Sequence, residues 1–455
     1  MFLIALAVVI AFFAAWILLA RGNVAGDRLR FILAGSDIGA LDLAAADAVL
    51  KDDYKAPVVD QLNNANVMLA IVEANTEDIV GRRFMQPLHV GRNSGVGARA
   101  ENETLPAAGN QQYEDVFGPV RSMYARIQLS GQTIAAMRKD RGSFIRALDP
   151  EMQGATEDAT RDYCRQVWGT SDGKICGVNT VNSTTLTPSG IRQDQLRHLD
   201  EGFLVDIGTT ADPDSLASGR EVVSVDYDAG SFVISGAAVN VTAGTHFVSR
   251  HGAGGTSTQS GNPGDGQREL TGLQTHVSAT ATDHTLAVAT EPRWASTEWA
   301  NSGTNRAISE NMVSKALMRA SIKSGGFVNL LISGDGVYRA YGEHLSTLKR
   351  TMNEIDLPGG YTGLSHAAVM QGRNKKGSKQ ALCWDQDCPD NRLYGLTTAD
   401  FTMYVMQDWE WMDKAGATLV QVADTDAYSA TLKKYAEFAC KRRNSQFVIK
   451  DLAEA

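Results

Sequence analysis

The sequence predicts an α+β protein, and three stretches carry that reading. Between Ser122 and Leu129 apolar and polar residues alternate, with Met123, Ala125, Ile127 and Leu129 on one side and Ser122, Tyr124, Arg126 and Gln128 on the other, as in a strand with one covered face. Met152, Ala155, Ala159, Tyr163 and Val167 recur every three or four positions, which is the period of a helix. Phe327 to Ile332 reads as a buried strand that runs through Gly334-Asp335-Gly336 into a second helical pattern. A chain of 455 residues can bury more than one core, so several domains are expected.

Ala44 to Ile79 reads as extended and helical pieces around the polar Gln61-Leu62-Asn63-Asn64. Phe84 to Ile134 reads as one long hairpin whose tip, Gly91 to Gln112, is polar and glycine-rich. Arms of about twenty residues at ~3.3 Å each would reach roughly 60 Å. A two-stranded ribbon of that length is not stable alone in water, so it must lie on something, and the simplest support is another copy of the chain. Asp149-Pro150-Glu151 is a helix start, with a capping side chain, a proline at the first turn and an acid at the positive dipole end; the helix should run to Gly169.

Short strands at Phe203–Ile207, Glu221–Tyr227, Ser231–Ile234 and His246–Ser249 suggest a small β-rich insert or barrel. His251 to Gly266 reads as a flexible link out of it. Ser309 caps a predicted helix with the apolar face Val313, Ala316, Leu317 and Ala320, closed by Gly325-Gly326. Tyr338, Tyr341, Leu345, Leu348 and Met352 define a second helix, broken by Asp356 to Tyr361. Near the C-terminus Trp409 and Trp411 share a strand face, and a Lys414-Ala415-Gly416 turn leads to a second strand at Thr418-Leu419-Val420, which together read as a hairpin capped by an aromatic ledge. Tyr428 to Lys441 fits either a helix with Tyr428, Leu432, Tyr435 and Ala439 on one face, or a strand. Arg442-Arg443-Asn444 then turns the chain into a closing strand, Gln446 to Ile449.

With 43% apolar and 21% charged residues the composition is globular, and a formal charge of −9 argues against a general nucleic-acid binder. Five scattered cysteines do not form a disulfide framework and suit a reducing cytoplasm. Met1 to Ala20 is uncharged and nearly all apolar, which fits a membrane-spanning helix, an over-extended start or a buried arm.

No set of residues converges on a reaction. Gly334-Asp335-Gly336 has Arg339 where a dinucleotide loop needs its third glycine. Asp385, Asp387 and Asp390 have cation-like spacing, but Pro389 and a missing glycine spoil a calcium loop, leaving a solvated acidic loop as the reading. Cys383 and Cys388 lack a second pair for zinc. Ser346-Thr347-Leu348-Lys349 lacks the companion motifs of penicillin-interacting enzymes, and Arg373 to Lys379 reads as a basic solvated loop. No catalytic, cofactor-binding or metal-binding residue is assigned, no cofactor is expected, and an enzyme is not expected.

Tyr394-Gly395-Leu396, Asp408-Trp409-Glu410-Trp411 and Arg443-Asn444, together with Gly272-Leu273, Trp294, Gly325-Gly326 and Asn329-Leu330-Leu331-Ile332-Ser333, resemble the major capsid protein family of tailed bacteriophages, with the Hong Kong 97 fold. The resemblance spans about Leu41 to Leu452. After the hydrophobic leader (1–35), it implies an N-terminal arm (36–80), an extended E-loop hairpin (81–135), a peripheral domain with a long spine helix (136–190), an axial α/β domain (266–390) and C-terminal strands completing both (391–455), with the β-rich insert at 191–265. It also favours extended structure for Tyr428 to Lys441.

The implied role is a virion shell protein, assembled in the bacterial cytoplasm, whose pentamers and hexamers tile an icosahedral head around double-stranded DNA bound without sequence preference. Scaffolding, portal and decoration proteins are the implied partners. Contacts between copies are expected at Arg92, Arg99, Glu101 and Glu103 near the hairpin tip and at Tyr124, Arg126, Trp409 and Trp411. Some capsids of this fold crosslink a lysine to an asparagine; no lysine lies between Lys55 and Lys139, so this hairpin is expected to form no such link. Two alternatives are an encapsulin-like compartment and a membrane-anchored β-rich surface protein.

Overall fold

The structure is a computed structural model; it describes residues 67–454 apart from 78, 81–82, 133–140, 180–182, 190–195, 197, 210–211, 255–266, 348–353, 357–361, 367–379, 414–417 and 424. The expectations for Met1–Ala20, Gln61–Asn64, Leu348, Met352, Arg373–Lys379 and the Lys414–Gly416 turn lie outside those residues. A short helix α1 (Val67–Ile71) leads to β1 (Glu73–Asn75), β2 (Ile79–Val80), β3 (Arg83–Gly91), β4 (Gln112–Pro119), β5 (Arg121–Ser130) and the long helix α2 (Arg141–Trp168). Next come β6 (Lys174–Val178), β7 (Thr185–Leu186), β8 (Pro188–Ser189), β9 (Leu204–Thr209), β10 (Ala217–Asp226), β11 (Ser231–Ile234) and β12 (His246–Arg250). The chain continues through α3 (Leu273–His276), β13 (Thr297–Trp299), α4 (Glu310–Ser324), β14 (Leu330–Ser333), α5 (Asp335–Thr347), β15 (Glu354–Asp356), β16 (Thr362–His366) and β17 (Gln380–Trp384). It ends in β18 (Leu393–Leu396), β19 (Phe401–Trp411), β20 (Val420–Gln421), β21 (Ala427–Cys440) and β22 (Phe447–Ile449).

The central sheet has the order β13-β22-β18-β14-β17-β16-β15. Its middle strands are buried on both faces, which is why Leu330 to Ile332 is a continuous apolar run. Leu331, Leu382, Phe447 and Ile449 pack under Val313, Ala316, Leu317, Val337 and Tyr341 of α4 and α5. Leu330, Ile332, Cys383, Tyr394 and Val448 face the other way, onto Trp168, Leu270, Leu273 and Met68. The predicted caps of α4 are present: Ser309 Oγ accepts the Met312 amide at 3.3 Å, and Gly325 ends the helix in the left-handed region at φ 68°.

A second sheet is built on β21, a strand throughout rather than a helix. Its length lets it pair with β19 along one part of an edge and with β20 along another, while β5 takes the opposite edge over Ala427–Ala436. This corrects two expectations. The strand after the tryptophan ledge does not return along β19 but pairs with β21. The alternating Met123–Leu129 run is not the return arm of the hairpin either; it is β5, a member of this sheet. The hairpin proper is β3 paired with β4, Arg83 opposite Pro119 and Gly91 opposite Gln112. Nine residues of β3 span about 30 Å, half the predicted reach. Pro119, with no amide to donate, lies where the chain leaves one sheet for the other.

Helix α2 begins at Arg141 rather than Asp149, so Pro150 lies inside it. A proline there removes one hydrogen bond, a loss that a helix of 28 residues can carry. Its last turns, Tyr163 to Trp168, are buried on every side, whereas most of Glu151–Asp162 is half-exposed. The insert is a closed barrel. Strand order runs β7-β11-β10-β9-β12-β6-β8, and the two end strands are consecutive in the chain, separated by Thr187 alone. One extended stretch thus pairs with β11 through its first half and with β6 through its second, leaving no open edge. Val205, Ile207, Val222, Phe232 and Val248 fill the interior. The barrel therefore takes in Lys174–Ser189, ahead of the expected boundary at 191. Among the described residues no helix is long and apolar enough to cross a membrane.

Candidate inter-subunit surfaces and the seat of the ribbon

The β3–β4 ribbon has two unlike faces. Phe84, Leu88, Val116 and Gly118 are buried against the body of the subunit. Met85, His89 and Tyr113 are exposed on the other side, and Val96 and Leu105 of the tip are 84% and 79% exposed. Arg92, Arg99, Glu101 and Glu103 are all exposed on this tip. Two of them shape it: Arg99 Nε donates to the Thr104 carbonyl at 3.1 Å, and Glu103 Oε2 accepts the Ala100 amide at 2.8 Å. A salt bridge among the four is absent from the described ion pairs.

Tyr124, Arg126 and Trp409 lie elsewhere, lining a groove of about 1040 Å³ between β5 and α2. Glu151, Asp158 and Asp162 of α2 form its acidic wall, with Arg250, Arg268 and Glu269 at one end. Strand β5 pairs with β21 along one edge, and among the described residues no strand pairs with its second edge. Tyr124 and Arg126 are exposed, with Tyr124 edge-on to Tyr435. Trp409 is half-buried, edge-on to Tyr163, and Lys434 Nζ is 5.4 Å from its ring centre. Its role within the subunit is therefore larger than the ledge reading implied. Trp411 shares that face and pairs with Leu432, without lining the groove.

The base of the ribbon rests on a polar cluster that sequence reasoning missed. His276 Nδ1 lies 2.8 Å from Asp283 Oδ2, and its Nε2 lies 3.1 Å from the Phe438 carbonyl. Arg443, fully buried, lies 3.4 Å from the same carboxylate and donates to the carbonyls of Thr275, His276, Ser278 and Ala281. Burial raises the Asp283 carboxyl, but His276, His284 and Arg443 outweigh it and hold the acid below the ordinary range. Burial pushes the His284 ring down to about 4, against the attraction of Asp283. The spacing His276, Asp283, His284 gave no recognisable metal motif, and Arg443 lies far off in sequence. Only the Arg443-Asn444 resemblance pointed here.

His276, Asp283 and His284 are the one group among the described residues whose ligand atoms lie close enough to hold a metal ion. Both nitrogens of His276 already face oxygen acceptors and a guanidinium occupies Asp283, so the donors fit a hydrogen-bonded cluster better than a metal. Asp385, Asp387 and Asp390 are not such a group. The solvated-loop reading also needs correction, because Asp385 and Asp390 are buried. Cys383 and Cys388 are buried free thiols.

No protein-family model matches the chain, and no curated protein matches it. Among solved structures, the capsid of cyanophage A-1(L) matches with a TM-score of 0.50 at 12% identity, covering 90% of this chain and 98% of that one. The capsid of a native GTA particle matches at 0.46 and 9% identity, covering 91% and 100%. The SrpI encapsulin of Synechococcus elongatus PCC 7942 matches at 0.42 and 6% identity, covering 90% and 95%. The last two likenesses are too weak to argue from. Ribbon, long helix, two-faced central sheet and the likeness to the cyanophage subunit agree: this chain has the Hong Kong 97 fold of tailed-phage capsids.

Proposed function

We propose that this chain is the repeating subunit of a closed icosahedral shell of the tailed-phage head type, built from rings of five and six copies around double-stranded DNA. Its work on this reading is mechanical, with no reaction to catalyse. The observation that carries it is a mismatch within one subunit: the ribbon base is firmly held, while the tip projects Val96 and Leu105 into solvent. An apolar tip without cover is a contact surface awaiting another molecule. The groove of Tyr124, Arg126 and Trp409, beside the edge of β5 that no described strand covers, is a surface of the kind an extended segment occupies. Tip of one copy into groove of the next is a head-to-tail contact, which closes into rings. Arg92 and Arg99 at the tip would face Glu151 and Asp158, each exposed pair contributing ~0–1 kcal/mol. Burial along the segment would contribute the larger share.

The experiment is assembly of the purified chain, followed by sedimentation and electron microscopy. Wild type is expected to form closed particles, and Arg126→Glu with Tyr124→Asp to remain small with an unchanged circular dichroism spectrum. A wild-type chain that stays solitary at every concentration overturns the reading. The contents of particles recovered from cells, DNA or protein, separate a head from an enzyme-carrying compartment of the same fold.

A further inference from the structure

The four-residue turn Asp283–Leu286 is built like a bracket. Asp283 and Leu286 exchange both backbone hydrogen bonds, at 3.2 and 3.1 Å, and His284 between them sits at φ 50°, in the left-handed region. One side of the bracket grips the ribbon. The His284 ring stands edge-on to Phe84 with centroids 4.9 Å apart, and Phe84 in turn stacks on Tyr404 at 4.6 Å. Gly118, opposite Phe84 in the ribbon, leaves the room this needs: a Cβ there would lie 2.5 Å from Phe84 and 2.6 Å from His284. Thr285 Oγ1 accepts the Phe117 amide at 3.3 Å. Leu286 and Trp294 pack on Leu88 and Val116, and Arg293 donates to the Val90 carbonyl at 2.8 Å.

The other side is fastened to the C-terminal strands. Arg443, from the turn after β21, holds the carboxylate of Asp283 and the carbonyls leading into the bracket. His276 joins the same carboxylate to the main chain of β21 at Phe438. We infer that the Asp283–Leu286 turn, fastened from behind by Arg443, is the seat that sets the direction in which the ribbon leaves the subunit, with His284 as its positioning residue. The seat is a property of the single chain; its consequence for assembly rests on the shell reading. A ribbon aimed wrongly would carry its tip past the neighbouring groove.

Hydrogen exchange on the full chain tests it. His284→Gly keeps the left-handed backbone and removes the ring, and Thr285→Val removes the amide's acceptor at nearly constant volume. Each is expected to speed exchange in 83–91 and 112–119 by about ten-fold while β14 and β22 stay near wild type. Unchanged ribbon exchange in both variants overturns the inference. So does an equal rise in ribbon and core, which marks general destabilisation. If His284→Gly fails to fold, Thr285→Val decides by the same criteria. On the shell reading, His284→Gly also yields fewer closed particles; should wild type form none, the shell reading fails while the exchange result still decides the seat.

Discussion

At Gly395 the main chain of β18 passes directly under the Phe447 ring, and a Cβ would fall 2.1 Å from it. That contact is the physical content of the Tyr394-Gly395-Leu396 motif: the flanking side chains are buried and the glycine lets β22 close over them. Gly272 is explained the same way, since a Cβ there would meet the Gln166 and Gly169 carbonyls at the end of α2. Arg443 of the Arg443-Asn444 motif is a fully buried hub. Asp385 illustrates a different residue-scale effect. Burial, and then the charge of Asp387, push its carboxyl up to about 6. The folded state therefore binds that proton more tightly than the unfolded chain, and stability falls as pH rises between about 4 and 6. Asp385→Asn, which can still accept the Asp387 amide, is expected to raise stability above pH 6 by up to about 3 kcal/mol and to flatten the curve between pH 4 and 6. Urea denaturation at pH 4.5 and 7.5 measures both, and a variant less stable at pH 7.5 would contradict the assignment.

Among elements, α4 was the most legible, because its cap, apolar face and terminating glycine are local signals that agree with one another. Four barrel strands, β9 to β12, were legible for the same reason, but β6, β7, β8 and the closure were not: no local feature says that the stretch on either side of Thr187 serves two edges. Helix α2 and the ribbon were misjudged at their ends. Asp149-Pro150-Glu151 is a sound start signal that the longer helix overrides, and the alternation of β5 looks the same in a hairpin as in a sheet. Helix α2 is joined to the barrel region by buried charge: Arg165 donates to Glu269 at 2.5 Å, and Asp162 lies near both Arg165 and Arg250. Glu269→Ala would leave a buried guanidinium with one carboxylate, a loss expected to be about 3 kcal/mol by denaturant midpoint. A loss below about 0.5 kcal/mol would show the pair to be dispensable.

For the whole molecule, one sheet buried on both faces, a barrel, the five-stranded sheet built on β21 and the three-stranded sheet β2-β3-β4 that carries the ribbon account for the described strands. The tip residues Arg92, Arg99, Glu101 and Glu103 and the groove residues Tyr124, Arg126 and Trp409 form two separate sets on one subunit. Two separate and unlike surfaces suit head-to-tail association better than a two-fold dimer, whose partners present one patch to itself. A chain starting at Leu41 is expected to form the same particles as the full chain, read by electron microscopy. Particles from the full chain alone would show that the leader takes part in assembly.

By itself the sequence determined the α+β class, the helices flanking the central sheet, four of the seven barrel strands and the place of the tip, because caps, turns and periodicity act over a few residues. The tertiary structure alone decided which strands pair, how the barrel closes and that residues as distant as Asp283 and Arg443 share one buried cluster. Pairing and burial join segments far apart in the chain, and no local pattern encodes the partner.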